Sequence, residues 1–201
     1  MDPDGLITIA GGKLTTYRLM ARDVVDAVAE TLRGDGLHVG RCPTGSVRLP
    51  GAAGVERKGG TLRSVGAAGR ALEEETARKF GRDVLEHLRS TYGGRWPRIV
   101  ERVRSDERLG LRMDPDLPYL WAEVDHAVHE EMACTVVDVM RRRTQVLLRA
   151  KDQGAACAAD VGARMAQLLG WNADELEGQM MALDEAFEDA RAWRKELGLS
   201  E

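Results

Sequence analysis

Aromatic side chains are scarce in this sequence. Phe, Trp and Tyr together make up 4% of its 201 residues, so the core must be built mainly from Leu, Val, Ala and Met. Cysteine is scarcer still. Cys42, Cys134 and Cys157 are odd in number and form no CxxC pair, which argues against a disulfide framework or a thiolate zinc site. Reduced thiols in a cytosolic setting are the expectation. Basic charge is not in excess: the net charge of −4 argues against nucleic acid as a partner held by a basic surface. No run approaches the ~18 apolar residues needed to span a membrane. The opening MDPDGLITIAGG lacks the charged and long apolar regions of a secretory signal. A cytoplasmic chain is expected, with ordinary globular shares of hydrophobic (43%) and charged (31%) residues.

What is present falls into three zones. Residues 6–10, LITIA, are apolar and β-branched, as in a short buried strand. Two glycines and Lys13 follow. Then Leu14, Tyr17, Ala21, Val24, Val28 and Leu32 recur at helical spacing until Gly34 and Gly36 stop them. Residues 34–69 are glycine-rich, with CPTG, LPGAAG, RKGG and VGAAG, and read as a linker with a short extended piece at Val47–Leu49. From about Arg70 the pattern is helical throughout. One helix is marked by Leu72, Ala77, Phe80, Val84, Leu85 and Leu88, and a shorter one opens at Trp96-Pro97. MDPDLPY, residues 113–119, is a turn. A helix through Val124 and Val128 follows, and another runs from Glu131 to Arg149. Gly154 and Gly170 bound a further helix. Asn172 and Glu175 form a capping box for the last one, which buries Leu176 through Trp193. Zone three is a compact helical bundle.

The glycine–lysine turn holds the chemical interest. A helix N-terminus offers unpaired N–H groups and partial positive charge, glycines admit a ligand to the backbone, and Lys13 adds a full charge. An anionic or electron-rich guest suits it. A P-loop fails here, because Leu14 stands where Ser or Thr is needed and no glycine stands five residues before Gly12. No GxGxxG turn occurs in the chain. The pyrimidine end of a flavin, which gathers negative charge on reduction, remains; so does a helix cap that binds nothing. Spacing alone does not separate the two.

Residues 10–21, AGGKLTTYRLMA, closely resemble the last strand–turn–helix of the flavin domain in FAD-dependent glycerol-3-phosphate dehydrogenases and α-glycerophosphate oxidases. Leu49-Pro50-Gly51 is similar to that family's connection to a C-terminal helical domain. Residues 129–145, HEEMACTVVDVMRRRTQ, are similar to that domain's signature. The resemblance implies a mainly α fold: a C-terminal helical cap domain over 70–201, a linker over 34–69, and residues 1–33 as a strand-and-helix remnant of an FAD-binding domain. It implies oxidation of sn-glycerol 3-phosphate to dihydroxyacetone phosphate, with FAD as cofactor and quinone as electron acceptor. Lys13 is then the catalytic residue. Gly11, Gly12 and Thr15 line the cofactor, and Arg18 is a weaker candidate for the substrate. No metal is implied.

A complete enzyme of this family also needs an N-terminal dinucleotide-binding unit. The chain is therefore expected to be a C-terminal fragment, inactive alone, of a parent that associates peripherally with the inner face of the plasma membrane. A second functional class stays open: a helical interaction module, with a homodimer formed through an unpaired apolar edge at residues 6–10. Other features read as structural. His126 and His129 suit a solvated acidic face, and Arg141–Arg143 a solvated stripe with one clamp to an internal carboxylate. Met132, Met140, Met165, Met180 and Met181 read as core filler, and Glu73–Glu75 as carboxylates near a helix start.

Overall fold

The computed structural model describes residues 5–198 and divides into two compact units, one ending at Leu49 and the other running from Pro50. The first unit is dominated by α1 (Tyr17–Gly34), entered through a 3-10 turn at Leu14–Thr16. Residues 6–10 belong to no strand, contrary to the sequence expectation. A strand exists through its ladder, and the described residues place no second strand beside LITIA. Val47–Leu49 is likewise not a strand.

The second unit begins with a hairpin where the sequence predicts linker. β1 (Val55–Lys58) and β2 (Thr61–Ser64) pair antiparallel, with Glu56 opposite Arg63 and Lys58 opposite Thr61. Gly59 and Gly60 both have positive φ (58° and 84°), as a two-residue mirror-type turn requires. The helices follow directly: α2 (Gly66–Phe80), α3 (Arg82–Tyr92) and α4 (Pro97–Ser105). The single helix expected across Leu72–Leu88 is broken at Gly81, whose φ of 105° no helical residue adopts. Pro97 sits in the first turn of α4, as its missing N–H favours.

The turn at 113–119 is held by a bridge between Arg112 and Leu120, after which come α5 (Ala122–Glu131), α6 (Val146–Arg149), α7 (Ala155–Leu169) and α8 (Ala173–Glu196). The helix expected from Glu131 to Arg149 is interrupted. Met132 turns left-handed, and Asp138–Arg143 form a π-helical turn before α6. The capping box is present: Asn172 N–H donates to Glu175 Oε2 at 2.8 Å, and Glu175 N–H to Asn172 Oδ1 at 2.9 Å.

Two hydrophobic clusters organise this unit. One gathers α3 and α4 around the fully buried Trp96, Leu88 and Ile99. The other joins the 113–119 turn and α5 to α8 around Val136, Met140, Val161, Met165 and Leu183. Trp121 packs against both. Trp96 and Trp121 thus take central places. Met140 and Met165 are buried as expected, whereas Met132 and Met181 are 83% and 58% exposed and fill no core. Trp193 is also half-exposed rather than buried.

A backbone crossing fixes the start of the unit. Gly94 N–H donates to Gly51 O at 2.6 Å, so the Pro50–Ala53 segment lies directly on the chain leaving α3. The LPG sequence is needed there because Gly51 has a φ of 85° and a Cβ would sit 2.8 Å from Tyr92 O.

Candidate functional site

The glycine–lysine turn is an exposed backbone cradle. Gly11 and Gly12 take φ values of 83° and 126°, which only glycine adopts without strain. No atom lies within 4 Å of where a Gly11 Cβ would be, so the backbone there is open to approach, whereas the Met20 side chain occupies that place at Gly12. Lys13 is extended at the entrance to the 3-10 turn. Its carbonyl accepts from the Thr16 hydroxyl at 3.0 Å and the Thr16 N–H at 2.9 Å. Helix geometry leaves the Leu14 and Thr15 N–H groups without intrahelical acceptors. Gly11, Gly12, Lys13 and Thr15 are all exposed and adjacent at this helix entrance. Arg18 is exposed too, with its guanidinium over the Pro43–Ser46 turn, 3.8 Å from the Cβ position of Gly45. The arrangement can receive electron-rich oxygen or nitrogen through backbone donors and one ammonium group.

In the second unit His129 and Glu130 lie on the expected solvated face, but His126 does not: it joins a buried polar network. His126 is 2% exposed and Glu123 fully buried, while His129 alone of the pair faces solvent. The Glu123 carboxylate accepts from Tyr92 O–H at 2.7 Å and Leu120 N–H at 2.8 Å, and it meets His87 Nε2 at 2.7 Å. The Tyr92 ring stands edge-on to His126 at 5.1 Å, and the His87 ring edge-on to Tyr119 at 4.7 Å. Burial and the adjacent negative charge of Glu123 push the Tyr92 phenol far up, so it stays a donor. No spacing rule joins residues 87, 92, 119, 123 and 126, so only the fold brings these groups together.

His126 gives this unit an acid sensitivity. Burial first, then the charge of Arg102, holds its imidazole below the ordinary value of 6.5. The unfolded chain therefore takes up a proton that the folded one resists. Stability falls as pH drops below about 7 and goes on falling to the folded value. His126→Phe should flatten urea-denaturation midpoints between about pH 7 and pH 5, where the parent chain loses stability. Equal pH slopes in the two proteins would remove His126 from this role. Burial raises the Glu131 carboxyl, which acts in the opposite sense, and that residue is unchanged in the comparison.

The arginine run forms clamps. Arg142 Nη1 donates to Asp138 Oδ1 at 2.7 Å, and Arg143 Nη2 donates to Glu131 O at 2.7 Å. Buried Thr144 closes the π turn by donating its hydroxyl proton to Val139 O at 2.7 Å. Glu73 is not a solvated carboxylate at a helix start: it is buried and paired with Arg89 at 3.1 Å. Among the described residues no group of three or more His, Cys, Asp or Glu is placed to hold a metal ion. Cys42, Cys134 and Cys157 are free thiols. No described helix is long and apolar enough to cross a membrane.

Comparison with known proteins accounts for most of the chain. Residues 42–176 match the family described as the C-terminal domain of alpha-glycerophosphate oxidase. A glycerol-3-phosphate dehydrogenase of Synechocystis sp. is 34% identical over 92% of this chain and 31% of its own length. The alpha-glycerophosphate oxidase of Enterococcus casseliflavus is 29% identical over 93% of the chain and 29% of its own length. The mitochondrial glycerol-3-phosphate dehydrogenase of Mesocricetus auratus is 35% identical over 71% and 18%. The chain thus spans less than a third of the length of these relatives. With a helical unit that covers most of residues 42–176, this chain belongs to the family of the C-terminal domain of alpha-glycerophosphate oxidase.

Proposed function

We propose that the chain serves as the C-terminal part of an FAD-dependent enzyme that oxidises sn-glycerol 3-phosphate to dihydroxyacetone phosphate. The observation that carries this reading is its similarity, over about nine-tenths of its length, to proteins named glycerol-3-phosphate dehydrogenase and alpha-glycerophosphate oxidase. The turn at Gly11–Thr15 suits the flavin in part: a positive-φ backbone, open at Gly11 though covered at Gly12 by the Met20 side chain, precedes helix-entrance donors of the kind its pyrimidine edge needs. No GxGxxG turn in this chain suits the ADP half. Bound FAD supplies the two-electron oxidation of the C2 alcohol, with quinone as the onward acceptor. Gly11, Gly12 and Thr15 hold the ring edge through backbone N–H groups. Lys13 places an ammonium where negative charge gathers, and Arg18 is a secondary contact for the substrate phosphate. In this reading the isolated chain is inactive, and the whole protein works in the cytoplasm at the inner face of the plasma membrane.

Two measurements test it. The purified chain should be colourless and leave the visible spectrum of added FAD unchanged; a yellow protein bleached by glycerol 3-phosphate would show that this chain suffices. Exchanged for the matching segment of the Enterococcus casseliflavus oxidase, the chain should support flavin binding and turnover. Lys13→Ala in that chimera should lower kcat/KM by about 10²-fold or more. Full activity with Lys13→Ala would exclude Lys13 from the chemistry.

A second reading, a homodimeric interaction module, is favoured by one observation. Leu6, Ile9 and Leu14 are 59%, 48% and 90% exposed, an apolar surface that suits a partner chain. Size-exclusion chromatography of the chain without residues 1–33 tests it: an unchanged dimer would defeat pairing through this segment.

A further inference from the structure

We propose that the cleft between residues 106–111, Trp121 and helix α7 is a binding site for a small aromatic monocation. The cleft encloses about 500 Å³, a volume typical of small-ligand clefts. It uses none of the residues assigned to the flavin or to the glycerol phosphate.

Trp121 carries the inference. Its ring is held from behind, where it packs against both hydrophobic clusters, and it also lines the cleft. Leu109 and Leu111 continue the apolar wall, and Leu111 is 64% exposed. Among the described residues no acceptor meets the Trp121 indole N–H, and that nitrogen keeps contact with solvent. Trp96 Nε1, by contrast, donates to Ser64 Oγ at 3.1 Å, and Trp193 Nε1 to Ala190 O at 3.1 Å. A fixed indole with one open side and an idle donor is a surface that an aromatic ring bearing a polar atom can cover.

Charge selects the ligand. Two arginines line the cleft, and each is answered by a carboxylate of its own. Arg108 donates from Nε and Nη2 to Asp106 at 3.0 and 2.8 Å. Arg164 donates from Nε and Nη2 to the two oxygens of Asp125, and from Nη1 to Gln167 Oε1 at 3.3 Å. Their forks are spent, so neither is free to hold an anion. Asp160, on α7, also lines the cleft; it is exposed and forms no ion pair among the described residues. The charge left over is therefore negative, which repels phosphates and carboxylates and attracts an ammonium group. The indole face favours a cation as well, and the guanidinium planes, fixed by their carboxylates, offer further stacking surface to a flat ring.

The test uses the full chain, ¹⁵N-labelled, titrated at constant ionic strength with tyramine, which carries a ring, a phenolic oxygen and an ammonium group. Its anionic counterpart 4-hydroxyphenylacetate and the ringless cation ethylammonium serve as controls. The Trp121 indole N–H signal should shift and saturate with tyramine, while that of buried Trp96 stays in place. Both controls should bind at least about tenfold more weakly. Asp160→Asn, altered at one exposed and unpaired side chain, should keep its Tm and bind tyramine about threefold more weakly or worse. Shifts that never saturate, equal affinity for 4-hydroxyphenylacetate, or unchanged tyramine affinity in Asp160→Asn would each overturn the site. Equal binding of ethylammonium would overturn it too, by leaving the ring without a role.

Discussion

Gly94→Ala is expected to lower the stability of the helical unit by at least about 3 kcal/mol, seen as a fall of about 6–12 °C in Tm. The added Cβ would lie 1.5 Å from Ala53 O and 2.8 Å from Ala53 C. Both are backbone atoms, so no rotamer change relieves the clash. The chain must separate by more than an ångström, and the 2.6 Å bond from Gly94 N–H to Gly51 O breaks with it. Gly93 is constrained at the same place, with φ of 55° and Gly51 O 2.4 Å from its Cβ position. Gly178→Ala provides the internal contrast. That glycine lies inside α8 with nothing within 4 Å, so the change should raise stability by about 0.5–1 kcal/mol through helix propensity alone. If both substitutions move Tm alike, the crossing does not constrain the fold.

Glu123→Ala should cost about 3–5 kcal/mol, because it removes the acceptor of a buried network and leaves its donors behind. The Tyr92 O–H and the Leu120 N–H both end at this carboxylate, and His87 Nε2 meets the same oxygen as Tyr92. Glu123 is itself fully buried, so water cannot replace it without opening the core. Glu123→Gln separates the effects of shape and charge. The amide oxygen still accepts from Leu120, and the loss should be about 1–2 kcal/mol. Chemical denaturation with fluorescence from Trp96 and Trp121 measures both, since each ring sits in the affected core. A cost below about 1 kcal/mol for the alanine variant would show that the network contributes little.

Several elements were legible because a local signal sufficed. The apolar period of α1, Pro97 at the start of α4, the glycines flanking α7 and the Asn172–Glu175 box each act within a few residues. The break at Gly81 leaves no mark in the apolar period, which runs through it; only the φ of 105° reveals it. The hairpin at 55–64 was hidden by composition: VERK and TLRS are polar, exposed strands whose signal is the Gly-Gly turn rather than alternation. LITIA failed the other way. Its composition says strand, but strand formation requires a neighbour that no local pattern supplies. The π turn and the left-handed Met132 answer to tertiary packing, which overrides propensity. At the candidate site, Gly11–Lys13 could be read directly. The Glu123 network could not, because its members come from α3, α5 and the 113–119 turn and are joined only by packing.

The Gly51–Gly94 crossing has a consequence for how the polypeptide can be cut. Residues 37–54 contain no helix or strand and offer a protease an extended backbone. Upstream of Pro50 a nick spares the crossing and every contact that follows it. At Gly51–Ala53 the same backbone is pressed against Gly93 and Gly94 and cannot enter a protease cleft without local unfolding. Limited digestion should therefore trim the chain back to Pro50 and stop, releasing a resistant fragment whose first ordered residues are the clasp itself.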